Sequence, residues 1–244
     1  MSVNINVTRI MNHLDDLSQA ERAYRRLRSE ILHGDLMPGE RLRAADLQDR
    51  FQLGLTPIRE ALMRLSSESL VEAETNRGSR VTEASLAELV DLMSTRRIIE
   101  RACLTAAIEH GDAAWEAEIV AAMHLLSRTP LPADVEDRRA AAEWEIHHRR
   151  FHSALVAACG SSWLLRFWNM LADHSERYRK VRLLHHREIK AEVRDVNAEH
   201  QLIMAAVLDR DVARATTLMD AHLTATEKSV AGLLAPEFHE EKAR

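Results

Sequence analysis

The chain has 244 residues, of which 46% are hydrophobic and 29% charged, a composition that excludes a disordered or fibrous protein. Its net charge of −5 argues against a surface that binds nucleic acid at large, and only 7 Gly and 5 Pro favour a mostly helical fold. There is no apolar run of about 18 residues and no secretory leader, and Cys103 and Cys159 are typical of buried thiols, so we expect a cytoplasmic protein.

The first predicted elements are two helices. Ser18 and Glu21 match a capping box at the start of the first helix, and Gly34 fits its C-terminal cap. A turn centred on Pro38-Gly39 follows, and a second, shorter helix spans residues 44–51. Both helices carry apolar residues at helical spacing, which predicts that each packs through one face.

A third helix and a two-stranded wing complete the front of the chain. Thr56 can cap this helix, Pro57 fits its first turn, and residues 70–83 alternate around Asn76-Arg77-Gly78 as in a short hairpin. This order predicts a winged helix-turn-helix, whose third helix enters the major groove of DNA with its N-terminus first. Thr56 and Arg59 are then candidates for phosphate and base contacts, and Arg77 for contacts to the backbone or the minor groove.

Taken as a set, the strings LHGDLMPGERL, LTPIREALMRLSSESLV and NRGSRV resemble the DNA-binding domain of the GntR family of bacterial transcription regulators. The resemblance covers residues 18–82 and implies DNA contacts at or near Arg43, Thr56, Arg59, Arg77 and Gly78. Two positions depart from the family pattern. Gly54-Leu55 stands where Ser-Arg or Thr-Arg is usual, and Ala44 or Ala45 stands where an arginine is common. The operator sequence therefore cannot be carried over.

Residues 83–235 form the second predicted domain. Every long segment from Ser85 onward has a helical pattern, which predicts an all-α bundle of six or seven helices. A short turn at Asp209-Arg210-Asp211 folds the last two helices back on each other. The expected fold is therefore mostly α, with an N-terminal winged helix-turn-helix followed by a helical bundle.

Four histidines have the spacing of a metal site inside this bundle. His148 and His152 lie four residues apart and share one helix face. At about 1.5 Å per residue, His200 lies about 15 Å before the last turn and His222 about 18 Å after it, so both rings reach nearly the same level. The four rings can thus meet around one ion. The other histidines are interpreted as surface or core residues.

The strings STRRIIE, HRRFH and EHQLIMAAVLDRDVARATTLMDAHL resemble the FCD ligand-binding domain of the FadR branch of the GntR family. Many members hold a metal with an Asp and a His four residues apart and two later histidines, which implies His148, His152, His200 and His222 as ligands here. His148 replaces the usual Asp, and an all-nitrogen set favours zinc, nickel or copper over manganese, so the expected cofactor is a divalent transition metal ion, zinc or nickel first. Glu145, one turn earlier, is a further source of a carboxylate oxygen.

These features predict a homodimeric transcription regulator, most often a repressor in this family, with one recognition helix for each half of a palindromic operator. A small organic acid is expected to bind beside the metal and to control DNA binding, with Arg96 pairing with its carboxylate. Arg96 equally fits an ion pair on the helix surface. The alternative is a regulator for which the metal ion itself is the signal. A metal-dependent hydrolase is a third hypothesis, but no nucleophile or HExxH motif supports an enzyme.

Overall fold

The structure, a computed structural model, describes residues 18–32, 34–74, 78–134, 137–184 and 194–234. The chain divides after Ala84 into two compact units. The predicted domain boundary, between residues 82 and 83, lies two residues before this division. Within the described ranges, no helix is long and apolar enough to span a membrane.

The first unit is a winged helix-turn-helix, as the sequence predicts. Its elements in chain order are α1 (Gln19–Leu32), β1 (Arg41–Leu42), α2 (Ala44–Phe51), α3 (Leu55–Ser67), β2 (Val71–Glu74) and β3 (Gly78–Val81). The three strands form an antiparallel sheet in the order β1-β3-β2. Strand β1 was not predicted from sequence, because two residues are too few to show an alternating pattern. The core lies between the three helices and the sheet.

The caps of α1 follow the sequence pattern. The Ser18 hydroxyl accepts a hydrogen bond from the Glu21 backbone N–H at 3.1 Å. At the other end Gly34 has a φ of +69° and donates to the Ile31 carbonyl at 3.1 Å. A left-handed residue at this position favours glycine, which carries no Cβ to clash.

The start of α3 differs from the sequence expectation, in which Thr56 caps the helix. Gly54 is the N-cap, with an extended backbone and no capping side chain. Its carbonyl accepts the first helical hydrogen bond, from Ile58 N–H at 3.3 Å. The helix therefore begins at Leu55, two residues earlier than expected, and Thr56 becomes an exposed residue of the first turn.

The second unit is an all-α bundle, which confirms the predicted fold class. Its helices are α4 (Leu86–His110), α5 (Ala113–Arg128), α6 (Arg138–Val156), α7 (Ser162–Leu184), α8 (Val196–Leu208) and α9 (Val212–Leu234). Helix α4 packs against α7 and α9, and α6 packs against α5 and α7. The faces of α6, α8 and α9 that point into the bundle are therefore covered by neighbouring helices.

The turn between α8 and α9 is tied to the end of α4. Arg210, at the turn, has a φ of +58°. Its guanidinium donates to the carbonyls of Ile108 at 2.6 Å and Gly111 at 2.9 Å, and it also pairs with Glu116. Arg210 thus bonds three groups near the α4–α5 junction. These bonds fix the position of the α8–α9 turn relative to the end of α4.

The residue that caps the C-terminus of α4, Gly111, is a glycine for a steric reason. Its backbone is extended, with a φ of −64°, so a left-handed conformation is not what requires glycine here. A Cβ at this position would lie 2.0 Å from the Trp115 ring, far inside van der Waals contact. The absent side chain leaves room for the Trp115 ring, whose indole N–H donates to the Ala154 carbonyl of α6 at 2.7 Å.

Candidate metal centre and DNA-binding surface

Four histidine side chains from three helices meet inside the bundle. Helix α6 contributes His148 and His152, α8 contributes His200, and α9 contributes His222. All four are buried, with 1–4% of their surface exposed. Each offers a ring nitrogen, and these four nitrogens all lie within 4.8 Å of one another. The structure therefore brings together all four predicted ligands.

The spacing of the nitrogens suits a single ion. The Nε2 atoms of His152 and His200 lie 3.3 Å apart. Two nitrogens bound to a tetrahedral ion at about 2.05 Å each would lie about 3.4 Å apart. The limit of 4.8 Å exceeds this tetrahedral spacing by about 1.4 Å, so the rings that lie farthest apart must move closer together to share a tetrahedral ion. The donor set fits a transition metal, because nitrogen ligands suit zinc, nickel and copper.

Burial keeps the α6 histidines neutral. It lowers the pKa of both His148 and His152 well below the ordinary value, and the positive charges of Arg179 and Arg96 lower the pKa of His148 further. For His152 the neighbouring histidines and Arg96 act in the same direction. Among the described residues, the Nδ1 atoms of both rings have no hydrogen-bond partner. Neutral imidazoles with available lone pairs are the form that binds a metal ion.

Glu145 lies beside this cluster rather than in it. Its Oε1 atom is 3.6 Å from Nδ1 of His148, and the same atom accepts a hydrogen bond from Arg179. Glu145 is not among the residues whose ligand atoms converge. Glu145 therefore lies next to His148 without joining the four nitrogens, and its carboxylate is paired with Arg179.

A second carboxylate contacts His222. Glu199 Oε2 lies 2.8 Å from His222 Nδ1, and Arg194 bonds both oxygens of Glu199 at 2.6 Å. Burial acts to raise the pKa of Glu199, but the hydrogen bonds from His222 and Arg194 outweigh it and hold the pKa at about 2. Glu199 is therefore ionised at neutral pH. Glu199 was not among the residues predicted from sequence, although it directly precedes the predicted ligand His200.

Arg96 is buried near the four histidines and not on the helix surface. Its Nη1 atom donates to the Ser175 hydroxyl, and its Nε atom lies 3.5 Å from Glu100. Burial lowers the pKa of Arg96 to about 10, still high enough for a full positive charge at neutral pH. The alternative that Arg96 forms an ion pair on the helix surface is therefore wrong. Its pair with Glu100 is buried, because α7 covers this face of α4.

Arg179 is a second buried arginine that sequence analysis missed. Its Nη1 atom lies 3.4 Å from the Ser175 hydroxyl, the group that Arg96 also contacts. The two guanidiniums thus approach one hydroxyl from α4 and α7. Burial of two positive charges is costly unless negative groups lie nearby, and Glu100 and Glu145 provide them. The result is a pair of buried arginines, each with a carboxylate partner, close to the neutral imidazoles of His148 and His152.

In the first unit, Arg59 and Gly78 line one groove between α3 and the wing, with a volume of about 480 Å³. Arg43 is exposed at the start of α2, and Thr56 is exposed on the first turn of α3. Neither Arg43 nor Arg59 has a hydrogen-bond or ion-pair partner among the residues described. Arg77 lies outside the described residues.

Other arginines of this unit are engaged within the fold. Arg64 on α3 bonds Glu21 at 2.8 Å and lies over the Tyr24 ring. Arg80 on β3 bonds Glu74 at 2.7 Å and the Gly39 carbonyl. Met63 was not predicted from sequence; it is 67% exposed and lines the same groove as Arg59, one helical turn away. Its signal was the four-residue spacing from Arg59.

Comparisons with known proteins agree with this architecture. Residues 19–81 match the family described as bacterial regulatory proteins, gntR family, and residues 91–225 match the FCD domain. The chain is 40% identical to the HTH-type transcriptional repressor GlaR of Escherichia coli K12, over 82% of this chain and 90% of that protein. It is 36% identical to the HTH-type transcriptional regulator BphR of Paraburkholderia xenovorans LB400, over 84% of this chain and 82% of that protein.

Solved structures share the fold. Escherichia coli McbR/YncC superposes with a TM-score of 0.71 at 19% identity, covering 90% of this chain and all of that chain. A GntR regulator from Rhodococcus sp. RHA1 superposes with a TM-score of 0.68 at 21% identity, covering 88% of this chain and 99% of that one. The prediction of a regulator rather than an enzyme is confirmed, since families and relatives alike are regulators. The chain belongs to the GntR family of bacterial regulatory proteins, and in its sequence the helix-turn-helix domain is followed by an FCD domain.

Proposed function

We propose that the protein is a transcriptional repressor whose binding to operator DNA is controlled by a small carboxylate, held with a metal ion in the helical domain. Residues 18–82 bind DNA, and residues 83–235 bind the metal and the effector. The observation that carries the proposal is the group of four buried histidines with nitrogens within 4.8 Å of one another. The repressor role is supported by the likeness to GlaR, which is named as a repressor.

The metal ligands in this proposal are His148, His152, His200 and His222. Four nitrogen donors favour zinc or nickel, but the two metals differ in what remains open. Tetrahedral zinc would have all four positions filled by protein, which is typical of a structural site. An ion with five or six positions would keep one or two for an effector oxygen. A carboxylate effector therefore favours an ion of higher coordination number, such as nickel.

The effector carboxylate would be recognised by the buried arginines beside the cluster. Arg96 has an Nε atom without a hydrogen-bond partner among the described residues, and so has Arg179. Both guanidinium groups contact the Ser175 hydroxyl through an Nη1 atom. Guanidinium groups bind carboxylates through paired hydrogen bonds, and burial strengthens such bonds. A small organic acid would satisfy these N–H groups and reach the metal with one oxygen.

Operator binding is proposed to involve Arg43, Thr56, Arg59, Arg77 and Gly78. Arg59 is available because it makes no ion pair with described residues, whereas Arg64 on the same helix is held by Glu21. Arginine is the commonest reader of guanine in the major groove. Gly78 has a φ of +91° and lets the wing backbone approach DNA closely.

We also propose that the protein acts as a homodimer, because a palindromic operator needs two recognition helices. Helix α7 exposes three large apolar side chains on one face, at positions Trp163, Phe167 and Met170. Aromatic and methionine side chains are enriched in the centres of protein interfaces. A second copy of the chain is the occupant we propose for this face. Light scattering of the wild type and of a Trp163→Glu/Phe167→Glu variant tests it, since the variant should be monomeric.

A regulator that responds to the metal alone is the second candidate. It is favoured by the closed coordination that four histidines give to a tetrahedral ion. The two candidates separate in one titration of operator binding. The protein is freed of metal with a chelator, reloaded with zinc or nickel, and then given a panel of small mono- and dicarboxylates. A change in operator affinity on reloading alone supports the metal as signal. A change that needs an acid supports the carboxylate effector, and no change in either step rules out both.

A further inference from the structure

The side chain of Arg194 joins the metal-bearing helices α8 and α9 through a set of five contacts. Its Nε and Nη2 atoms bond the two oxygens of Glu199 at 2.6 Å each. Its Nη1 atom donates to the Thr226 hydroxyl at 3.0 Å, and Nη2 donates to the His222 carbonyl at 2.9 Å. Nη2 also lies 3.1 Å from His222 Nδ1. We call this group of Arg194, Glu199 and His222 the clamp.

Counting hydrogen atoms settles which way the clamp bonds run. A guanidinium Nη carries two hydrogens, and those of Arg194 Nη2 are directed at Glu199 Oε2 and at the His222 carbonyl. No hydrogen of Nη2 remains for His222 Nδ1. A carboxylate can only accept, and Oε2 lies 2.8 Å from Nδ1. Nδ1 must therefore carry the hydrogen and donate it to Glu199.

The consequence is that His222 presents the lone pair of Nε2. In a neutral imidazole only one nitrogen is protonated, so a hydrogen on Nδ1 leaves Nε2 as the acceptor. Nε2 is then the atom of His222 that can bind an ion among the converging histidines. A carboxylate on the far nitrogen of a metal-binding histidine also orients the ring and makes the ligand more basic.

The other carboxylate near the cluster does not bond its histidine in this way. Glu145 Oε1 is 3.6 Å from His148 Nδ1, beyond hydrogen-bond distance, and it is taken up by Arg179. Among the described residues, Nδ1 of His152 has no partner either. Among His148, His152 and His222, it is His222 whose Nδ1 lies within hydrogen-bond distance of a carboxylate.

We infer that Glu199, held by Arg194, is a positioning residue that fixes His222 with its hydrogen on Nδ1 and thereby directs Nε2 at the metal. This inference rests on the proposed metal site, and it adds a requirement that the four ligands alone do not contain. Glu199 and His200 are consecutive on α8, so one dipeptide supplies a ligand and the group that orients another ligand across the helix pair.

The test compares Glu199→Gln with Glu227→Gln. Both remove one carboxylate that is paired with an arginine, and Glu227 lies on α9 at 2.5 Å from Arg97, where it contacts none of the four histidines. Zinc affinity is measured by competition with a chromophoric chelator. We expect Glu199→Gln to bind zinc about 10- to 100-fold more weakly than the wild type and Glu227→Gln to bind it unchanged. If Glu199→Gln does not fold, Arg194→Gln takes its place, since it releases the same carboxylate.

The second measurement is the tautomer of His222 in the metal-free protein, read from the ¹⁵N chemical shifts of labelled histidine. The wild type should show the Nδ1–H form, and Glu199→Gln should lose it. Equal zinc affinities of Glu199→Gln and a zinc-binding wild type overturn the inference, as does an Nε2–H form in the wild type. A wild type that binds no zinc or nickel refutes the proposed function instead, and the tautomer then decides on the clamp by itself.

Discussion

His152 and His200 place their Nε2 atoms 3.3 Å apart, although 48 residues separate them in the chain. Two neutral imidazoles at this distance can share one proton or one metal ion. With two further histidines within the same 4.8 Å, a shared ion accounts for all four rings and a shared proton for only two. Helices α6 and α8 thus each supply a nitrogen to one cluster, and the proposed ion gives these side chains a role beyond burial.

Removing two of the four ligands should abolish metal binding. We expect His152→Ala/His200→Ala to lose the metal that the wild type carries when both are purified without a nickel column. His124→Ala, an exposed histidine on α5, is the control and should keep it. Elemental analysis measures the content. Equal metal in wild type and double variant would refute the site.

Arg59→Ala should weaken specific operator binding by about 1–3 kcal/mol, because a base-contacting arginine would be lost. Fluorescence polarisation with the operator and with an unrelated duplex measures the effect. Arg214→Ala removes the same charge from an exposed position of the helical unit and serves as the control. Unchanged operator affinity of Arg59→Ala would contradict the groove assignment.

Arg96→Lys should reduce the response to a carboxylate effector while leaving the metal in place. Lysine keeps the charge but not the paired donors, so effector binding should weaken by about 1.5–3 kcal/mol. Acids that raise the melting temperature of the wild type are tested on both proteins. Arg97→Lys is the matched control, since the neighbouring arginine pairs with Glu227 away from the cluster. A full response of Arg96→Lys would remove this residue from the effector site.

Stability of the metal-free protein should fall as the pH drops below about 6.5. The pKa values of His148 and His152 are lowered in the folded state, so the unfolded chain takes up protons that the folded chain does not. Each group then costs about 1.4 kcal/mol per pH unit below the unfolded pKa, and neither contributes above it. Urea unfolding between pH 5 and 7.5 measures the slope. A His148→Asn/His152→Asn variant should lose this part of it; an unchanged slope would argue against buried neutral rings.

Two glycine substitutions should act in opposite directions. Gly111→Ala places a Cβ 2.0 Å from the Trp115 ring and should destabilise the protein by about 1–3 kcal/mol. Gly232→Ala, within α9, meets no atom within 4 Å and should stabilise it by about 0.5–1 kcal/mol. Thermal unfolding compares the two. Similar melting temperatures would mean that Trp115 can move aside.

Local sequence patterns were sufficient for much of this architecture. Helical periodicity alone puts His148 beside His152, and the lengths of α8 and α9 on either side of their turn put His200 level with His222. The caps at Ser18 and Gly34 likewise depend on residues only three or four positions away. The cap of α3 was misplaced because Gly54 acts there through its backbone, with no side-chain signal.

Contacts across the bundle could not be predicted in the same way. Arg96 meets Ser175 over a separation of 79 residues, and only the packing of α4 on α7 brings them together. Arg179 and Arg194 looked like ordinary charges of helical segments, because nothing near them in the chain reveals a buried partner. The four histidines and Arg96 lie in strings that resemble the FCD domain, whereas Arg179 and Arg194 lie outside them.

The bonds from Arg210 to the carbonyls of Ile108 and Gly111 have an evolutionary corollary. With the hairpin of α8 and α9 pinned at its tip, one inserted residue beyond the turn would rotate His222 by about 100° and shift it by about 1.5 Å. Side chains in this hairpin can be exchanged, but its length cannot drift. Insertions and deletions among functional relatives should therefore be absent between positions 200 and 222.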